Sequence, residues 1–283
     1  MWPQVAFAEI ALLYVLWIST IAVIVVMCRR KSPTKLYNKC PSLFLVLVAT
    51  VLLAIANCFM LVPWLALSSG FFTLNETQSQ IAFLLGIAVI PPRTLYDLQT
   101  LALFLQRILI VLLPVKRCRP LLILNALSVS IASSTAIVLF AVLLPPVLKD
   151  KSPIPEDCFS GMCMLQSIQI KLFLTVHRVV ISSAVILTGS VFLMVYWRQR
   201  SQQNTSENAK IYAMLRMFFY LRILLELIPF LTEWLLLKTM NISVAYYVGP
   251  FGSFGSAIDA LVTTVLYYRV LFPRKVVHQV GSR

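Results

Sequence analysis

Four polar side chains interrupt an otherwise apolar segment and are the first candidates for chemistry in this sequence. From Arg93 to Pro114 the chain reads RTLYDLQTLALFLQRILIVLLP, and Arg93, Asp97, Thr100 and Arg107 are spaced by 4, 3 and 7 residues. At 3.6 residues per turn this spacing places them along one stripe of a helix. A charged side chain facing hydrocarbon costs about 2.5 to 3.5 kcal/mol even on lenient scales. The stripe is therefore predicted to face other helices or a water-filled cavity.

Further ionisable side chains lie in later apolar segments. Asp97 follows Arg93 by four residues, and Glu226 follows Arg222 by four. On a helix each acid could pair with the arginine one turn before it, which would be a purely local role. Alternatively the acids line an outer cavity for a ligand. That second interpretation makes the following residues the candidate ligand contacts: Asp97, His177, Glu226 and Glu233.

Catalytic and metal sites have little support in the sequence. His177 and His278 are the two histidines, there is no glycine-rich phosphate loop, and no cluster of His, Cys or acidic residues has metal-ligand spacing. The sequence therefore predicts no enzyme, no metal site and no cofactor.

Composition places the chain in a lipid bilayer. Of its 283 residues 60% are hydrophobic and 12% are charged, and the mean hydropathy is +0.88. Soluble domains have about a quarter of their residues charged. The net charge is +14, but the basic residues lie between apolar runs and not in one soluble patch. That distribution predicts orientation in a membrane and excludes nucleic acid as a partner.

The apolar runs predict an all-α bundle of seven transmembrane helices in a single domain covering residues 1–283. The predicted spans are approximately 5–28, 42–67, 86–113, 121–148, 170–197, 211–237 and 244–271. Pro91 and Pro92 suit the start of the third helix, so residues 81–90 are predicted to be a re-entrant or interfacial piece. Pro229 predicts a kink in the sixth helix.

Charge asymmetry predicts the orientation of the bundle. Fifteen Lys and Arg residues lie on one set of connections and three on the other, which predicts the N-terminus outside and the C-terminus inside. Asn75 and Asn241 are then possible glycosylation sites on outer connections, while the sequon at Asn204 falls on an inner one. Cys158 and Cys163, in the longest outer connection, either form a disulfide or remain free thiols.

The end of the third predicted helix carries a more specific pattern. Pro114 follows Arg107 by seven residues, as in rhodopsin-like receptors, where an acid precedes the arginine; here that position is Gln106. The chain resembles the nematode serpentine chemoreceptors of class BC. The resemblance lies in PPRTLYDLQTLALFLQRILIVLLPV, in CFSGMC followed by the helix with His177, and in VGPFGSFGSAIDALVTTVLYYRVLFPRK.

This resemblance implies a G-protein-coupled receptor in the plasma membrane of sensory cilia. Its ligand would be a small environmental molecule, and its partner a heterotrimeric G protein. Arg107 and Gln106 would act in coupling, with the sixth helix moving about Pro229. The alternative for Arg107 is an arginine that extends to the inner head groups. Charges inside a membrane also occur along transport routes, so a small-molecule transporter or a ligand-gated channel is the competing interpretation.

Overall fold

The computed structural model describes residues 3–39, 41–69, 76–112, 119–149, 171–199, 206–240 and 251–272. Within these ranges the backbone is helical and contains no strand, so the all-α prediction is confirmed there. The elements are α1 (Pro3–Arg30), α2 (Pro33–Lys39), α3 (Pro41–Ser68), α4 (Glu76–Ala88), α5 (Ile90–Leu112), α6 (Arg119–Lys149), α7 (Lys171–Gln199), α8 (Ser206–Arg222), a π-helical segment (Ile223–Leu227), α9 (Ile228–Met240) and α10 (Phe251–Leu271).

Six helices in the described ranges are long and apolar enough to cross a membrane. They are Gln4–Arg30, Pro41–Ser68, Gln80–Leu112, Ile123–Val142, Val179–Arg198 and Ser253–Leu271. Large apolar side chains cover their outer faces, with Phe59 62%, Ile137 70% and Met194 72% exposed. Such surfaces are unfavourable in water and are satisfied in lipid. The chain is a multi-pass helical membrane protein.

The segment 206–240 forms one further long helical stretch. Its backbone continues from α8 through the π-helical segment into α9. It is not among the six apolar helices, and it carries Arg216, Arg222 and Glu226 in its middle. Arg216 is exposed, whereas Arg222 and Glu226 are buried, and buried charges in such a helix need partners inside the bundle.

The region around Pro91 and Pro92 differs in detail from the prediction. Helix α5 begins at Ile90, so both prolines lie in its first turn, where a missing N–H is tolerated. The predicted third span began at residue 86, but α4 occupies Glu76–Ala88 and only Val89 separates it from α5. The piece before the prolines is therefore a helix that starts earlier than the predicted 81–90.

Helix α5 occupies the centre of the bundle and packs against α3, α4, α6 and α7. Its polar stripe faces inward, since Asp97 is 6% and Thr100 is 4% exposed. A second set of polar contacts joins α5 and α3 to α6: Gln99 donates to Ser128 (2.8 Å), and Ser42 donates to Asn125 (3.1 Å). These buried polar groups are thus paired across helices, as an apolar surrounding favours.

The C-terminal ends of α1 and α10 lie side by side. Lys31 Nζ donates to the carbonyl of Leu271 (3.2 Å) and lies 5.1 Å from the centre of the Phe272 ring, while Arg30 lies over Tyr268. Cations at a helix C-terminus interact favourably with its exposed carbonyls. Because their C-terminal ends meet and the two helices pack against each other, α1 and α10 run in the same direction.

Candidate functional site

Arg222, at the end of α8, lies among three carboxylates that come from three different elements. Its Nη1 atom contacts Asp97 of α5 and lies 2.8 Å from Glu226 Oε2 in the π-helical segment, and its Nε lies 3.0 Å from Asp259 Oδ2 of α10. The Arg222 side chain is only 3% exposed. A guanidinium suits this position because its donors spread in one plane and it stays charged when buried.

Two residues of α5 complete the site. Arg93 Nη2 donates to Glu226 Oε1 (2.7 Å). Tyr96 donates its hydroxyl to Asp259 Oδ2 (2.9 Å), and its ring centre lies 4.6 Å from the Arg222 guanidinium carbon, a cation–π geometry. We call this set the Arg222 cluster, and its members are Arg93, Tyr96, Asp97, Arg222, Glu226 and Asp259.

The Arg222 cluster contains two guanidinium groups and three carboxylates, so its formal charge is −1. Removing such charges from water is costly, and they are tolerated only when they pair and hydrogen-bond with one another. Because Arg222 has three acidic partners and Glu226 has two arginine partners, several pairings compete for the same atoms. The arrangement connects α5, the π-helical segment and α10.

The π-helical segment arises beside Pro229. Proline has no N–H, so it cannot donate to the carbonyl of Leu225 four residues earlier. In the π turn, Ile228 N–H donates instead to the carbonyl of Ile223, five residues back. Pro229 was predicted to kink this helix, and the irregularity that the structure has next to it is this π turn.

Gly255 lets α10 approach the π-helical segment closely. A Cβ atom at Gly255 would lie 2.2 Å from the carbonyl oxygen of Leu225, a distance that no side chain tolerates. Asp259 lies one turn after Gly255, and Glu226 follows Leu225 directly. The close backbone contact therefore brings the acid of α10 to the arginine and the acid of the neighbouring helix.

The structure brings together two of the four predicted ligand contacts. Asp97 and Glu226 both belong to the Arg222 cluster. His177 of α7 is half-buried and lies within electrostatic reach of Asp97. The side chain of Glu233 lies outside the described part of the structure.

The prediction that each acid pairs with the arginine one turn before it is right for one of the two pairs. Arg222 does pair with Glu226 of the same helix, but Arg93 donates to Glu226 of the neighbouring helix and not to Asp97 one turn away. Asp97 pairs with Arg222 instead. Sequence spacing identifies possible partners only within one helix. In the structure the partner of Arg93 lies on a neighbouring helix.

Two of the predicted coupling residues, Gln106 and Arg107, lie further along α5, away from the cluster. Gln106 is 5% exposed, and its Oε1 accepts no hydrogen bond from the described residues. Arg107 is half-buried and follows Phe104 by three residues. Pro229 is half-buried directly after the π turn. The remaining candidates lie outside the described residues: Asn75, Cys158, Cys163 and Asn241.

Three residues of the site were missed or undervalued in the sequence. Arg222 was considered only as a local partner, Tyr96 was not considered, and the sequence offers Gly255 only as one small residue in the run GPFGSFGS. A signal existed for Tyr96, because it lies three residues after Arg93 and so belongs to the same stripe of α5. Nothing in the sequence marks Gly255 above its neighbouring glycines.

Among the described residues no group of three or more His, Cys, Asp or Glu side chains has a geometry that could hold a metal ion. No protein-family model matches the sequence, and no characterised protein matches it.

Proposed function

We propose that the protein is a seven-transmembrane chemosensory receptor that binds a small molecule from the outer side and activates a heterotrimeric G protein. The observation that carries this proposal is the Arg222 cluster. A receptor needs an element with two arrangements that a ligand can bias. Arg222 and Glu226 each have more than one partner of opposite charge, and those partners lie on different helices. A ligand that pairs with one charged group of the cluster displaces the present partner of that group and so changes the packing of α5, α8 and α10.

The parallel arrangement of α1 and α10 supports the count of seven spans. Consecutive crossings alternate in direction, so two parallel helices at the first and last positions require an odd number of crossings. Six apolar helices alone give an even number. The segment 206–240, with its ion pairs inside the bundle, supplies the seventh. The basic connections then orient the N-terminus outside and the C-terminus inside the plasma membrane, in this proposal the membrane of a sensory cilium.

Contacts further along α5 offer a route from the cluster to the inner face. Phe104 of α5 packs against Phe192 of α7 with ring centres 5.7 Å apart, and Phe192 lies 5.8 Å from Tyr212 of α8. Tyr196 of α7 stacks on Tyr212 at 4.8 Å. A movement of α8 about the π turn and Pro229 would rearrange these rings next to Arg107, which is the proposed coupling residue together with Gln106.

Nucleotide exchange on a co-expressed G protein tests this proposal. A screen of volatile and water-soluble compounds on expressing cells identifies an agonist, and exchange is then compared for the wild type, Arg107→Ala and Arg107→Lys at equal surface expression. We expect Arg107→Ala to lose about tenfold or more of the stimulated exchange, which corresponds to roughly 1.4 kcal/mol. Lysine reaches the head groups as arginine does but lacks the planar fork, so Arg107→Lys is expected to lose exchange as well.

Equal exchange in all three proteins would show that Arg107 only extends to the head groups. A transporter is the second candidate, and the buried charges of the Arg222 cluster are what favours it, because such charges also occur along transport routes. Substrate flux or ionic current in cells without any G protein would support the transporter or channel and overturn the receptor.

A further inference from the structure

Basic side chains gather where the C-terminal ends of α1 and α10 meet and α2 begins. Two come from the last turn of α1, one from the residue directly after it, one from α2 and one from the last turn of α10. We call this set the basic rim, and its members are Arg29, Arg30, Lys31, Lys35 and Arg269. Lys31 is half-buried, and the other four members are exposed.

No acid neutralises the basic rim in the part of the chain that the structure describes. The salt bridges there join Arg93 and Arg222 to carboxylates, and none includes a member of the rim. The sequence itself has no acid between Glu9 and Glu76, and none after Asp259. The positive charge of the rim is therefore available to an anion from outside the chain.

Aromatic rings hold two members of the rim in place. The guanidinium carbon of Arg30 lies 5.4 Å from the centre of the Tyr268 ring. Lys31 Nζ lies 5.1 Å from the centre of the Phe272 ring and donates to the carbonyl of Leu271 (3.2 Å). A guanidinium over an aromatic ring can still donate from its edge, and its paired N–H groups match the geometry of a phosphate. Arg30 is thus a positioned donor for a phosphate group.

The exposed apolar residues next to the rim favour a lipid as the carrier of that phosphate. Val25 and Val26 of α1 are each 44% exposed, and they precede Arg29 and Arg30 by four residues. Residues four apart lie on the same face of a helix, so the two arginines continue a face that hydrocarbon covers. A phosphate bound on this face has acyl chains beside it.

Helix α2 indicates the depth of the rim in the membrane. Leu36 is only 4% exposed and belongs to the hydrophobic core, whereas Lys35 and Tyr37 on either side of it are exposed. The Tyr37 ring packs edge-on against Phe44 of α3, with the ring centres 5.8 Å apart. Tyrosine is enriched at the level of the lipid headgroups, where its ring meets apolar groups and its hydroxyl meets water. The rim therefore lies at the depth of the headgroups.

We propose that the basic rim binds the phosphate of an anionic phospholipid, with Arg30 as the principal donor. The rim lies at the end of the bundle that is cytosolic in the receptor proposed above, and only the choice of leaflet rests on that proposal. Anionic lipids are concentrated in the cytosolic leaflet, where each nearby basic residue strengthens binding about fivefold.

Native mass spectrometry of the purified full-length protein in detergent tests the site. The protein is titrated with dioleoyl-phosphatidylglycerol and with dioleoyl-phosphatidylcholine, which have the same acyl chains and differ in headgroup charge. The fraction of protein that retains one lipid gives a Kd for each. We expect phosphatidylglycerol to bind the wild type about tenfold or more tightly than phosphatidylcholine, and an equimolar amount of inorganic phosphate not to displace it.

Three variants separate a positioned site from a diffuse positive surface. Arg30→Gln should weaken phosphatidylglycerol binding about fivefold. Tyr268→Leu keeps the net charge but removes the ring below Arg30, so it should also weaken phosphatidylglycerol binding and leave phosphatidylcholine binding unchanged. Arg198→Gln is the matched control, because Arg198 is exposed at the end of α7, which packs against α5 and α8; it should bind as the wild type does. An unchanged Tm shows that each variant is folded.

Four results would overturn the lipid site. They are equal affinity for the two lipids, displacement of the lipid by equimolar inorganic phosphate, wild-type affinity in Arg30→Gln or in Tyr268→Leu, and equal losses in Arg30→Gln and Arg198→Gln. Loss of agonist-stimulated nucleotide exchange in Arg30→Gln with unchanged lipid affinity would identify the rim as a protein-docking surface instead. The lipid titration uses neither agonist nor G protein, so a failure of the exchange assay would remove the receptor function and leave the lipid site in place.

Discussion

At the scale of single residues, Arg222 holds the site together. It contacts the carboxylates of Asp97, Glu226 and Asp259 and stacks on the ring of Tyr96. No other described residue contacts as many members of the cluster. A buried ion pair is weak evidence for net stability, but removal of one partner leaves the others buried and uncompensated.

We therefore expect Arg222→Gln to destabilise the protein by about 3 to 5 kcal/mol, because three carboxylates would lose their shared cation. Arg216→Gln is the matched control, since Arg216 lies on the same helix but is exposed. The measurement is the Tm and the monodisperse fraction of both variants in the same detergent. Equal behaviour of the two variants would show that the cluster contributes nothing to folding.

At the scale of elements, the contact between α10 and the π-helical segment decides the register of the two helices. Pro229 withholds a donor from the Leu225 carbonyl, and Gly255 lets the backbone of α10 approach that oxygen. The position of Asp259 relative to Arg222 follows from this approach. A substitution at Gly255 should therefore disturb the ion pairs, although it replaces no charged residue.

Gly255→Ala tests this dependence. The added methyl group would lie 2.2 Å from the Leu225 carbonyl oxygen, so the helices must separate and the Arg222–Asp259 contact must lengthen. We expect a loss of about 1 to 3 kcal/mol, the usual cost of overpacking, seen as a lower Tm. Gly86→Ala is the control, because nothing lies within 4 Å of a Cβ atom there. A Tm loss at Gly86 as large as that at Gly255 would contradict the close-contact argument.

At the scale of the whole molecule, the parallel arrangement of α1 and α10 and the charge asymmetry of the connections support the proposed seven-span topology. The first rests on the contacts between the C-terminal ends of α1 and α10, and the second on the distribution of basic residues along the chain. The proposed topology places the two termini on opposite sides of the membrane.

Epitope tags at both termini test the topology. The N-terminal tag should be labelled on intact cells and the C-terminal tag only after permeabilisation, because the proposed orientation leaves the basic connections in the cytosol. Asn75→Gln and Asn241→Gln should each remove a glycan if their sequons are used, whereas Asn204→Gln should leave the glycosidase-sensitive mobility unchanged. Both tags on one side, or loss of a glycan in Asn204→Gln alone, would contradict the orientation.

Much of the architecture followed from the sequence. The lengths of the apolar runs predicted the helices, Pro91 and Pro92 predicted the start of α5, and the spacing of Asp97 and Thr100 predicted a buried polar stripe. These features are local: each depends on the period of one helix and on the cost of exposing polar groups to lipid. The early start of α4 was not predicted, because its first residues are polar and carry no apolar signal.

The sequence by itself determined that this chain is a helical membrane protein and that its intramembrane charges must have partners. Only the tertiary structure decided which partners they have: Arg93 with Glu226, Asp97 with Arg222, and Tyr96 with Asp259. Helical periodicity fixes neighbours along one helix, whereas a pairing between helices depends on their relative register. That register is set by contacts such as Gly255 against Leu225, which only packing in three dimensions creates.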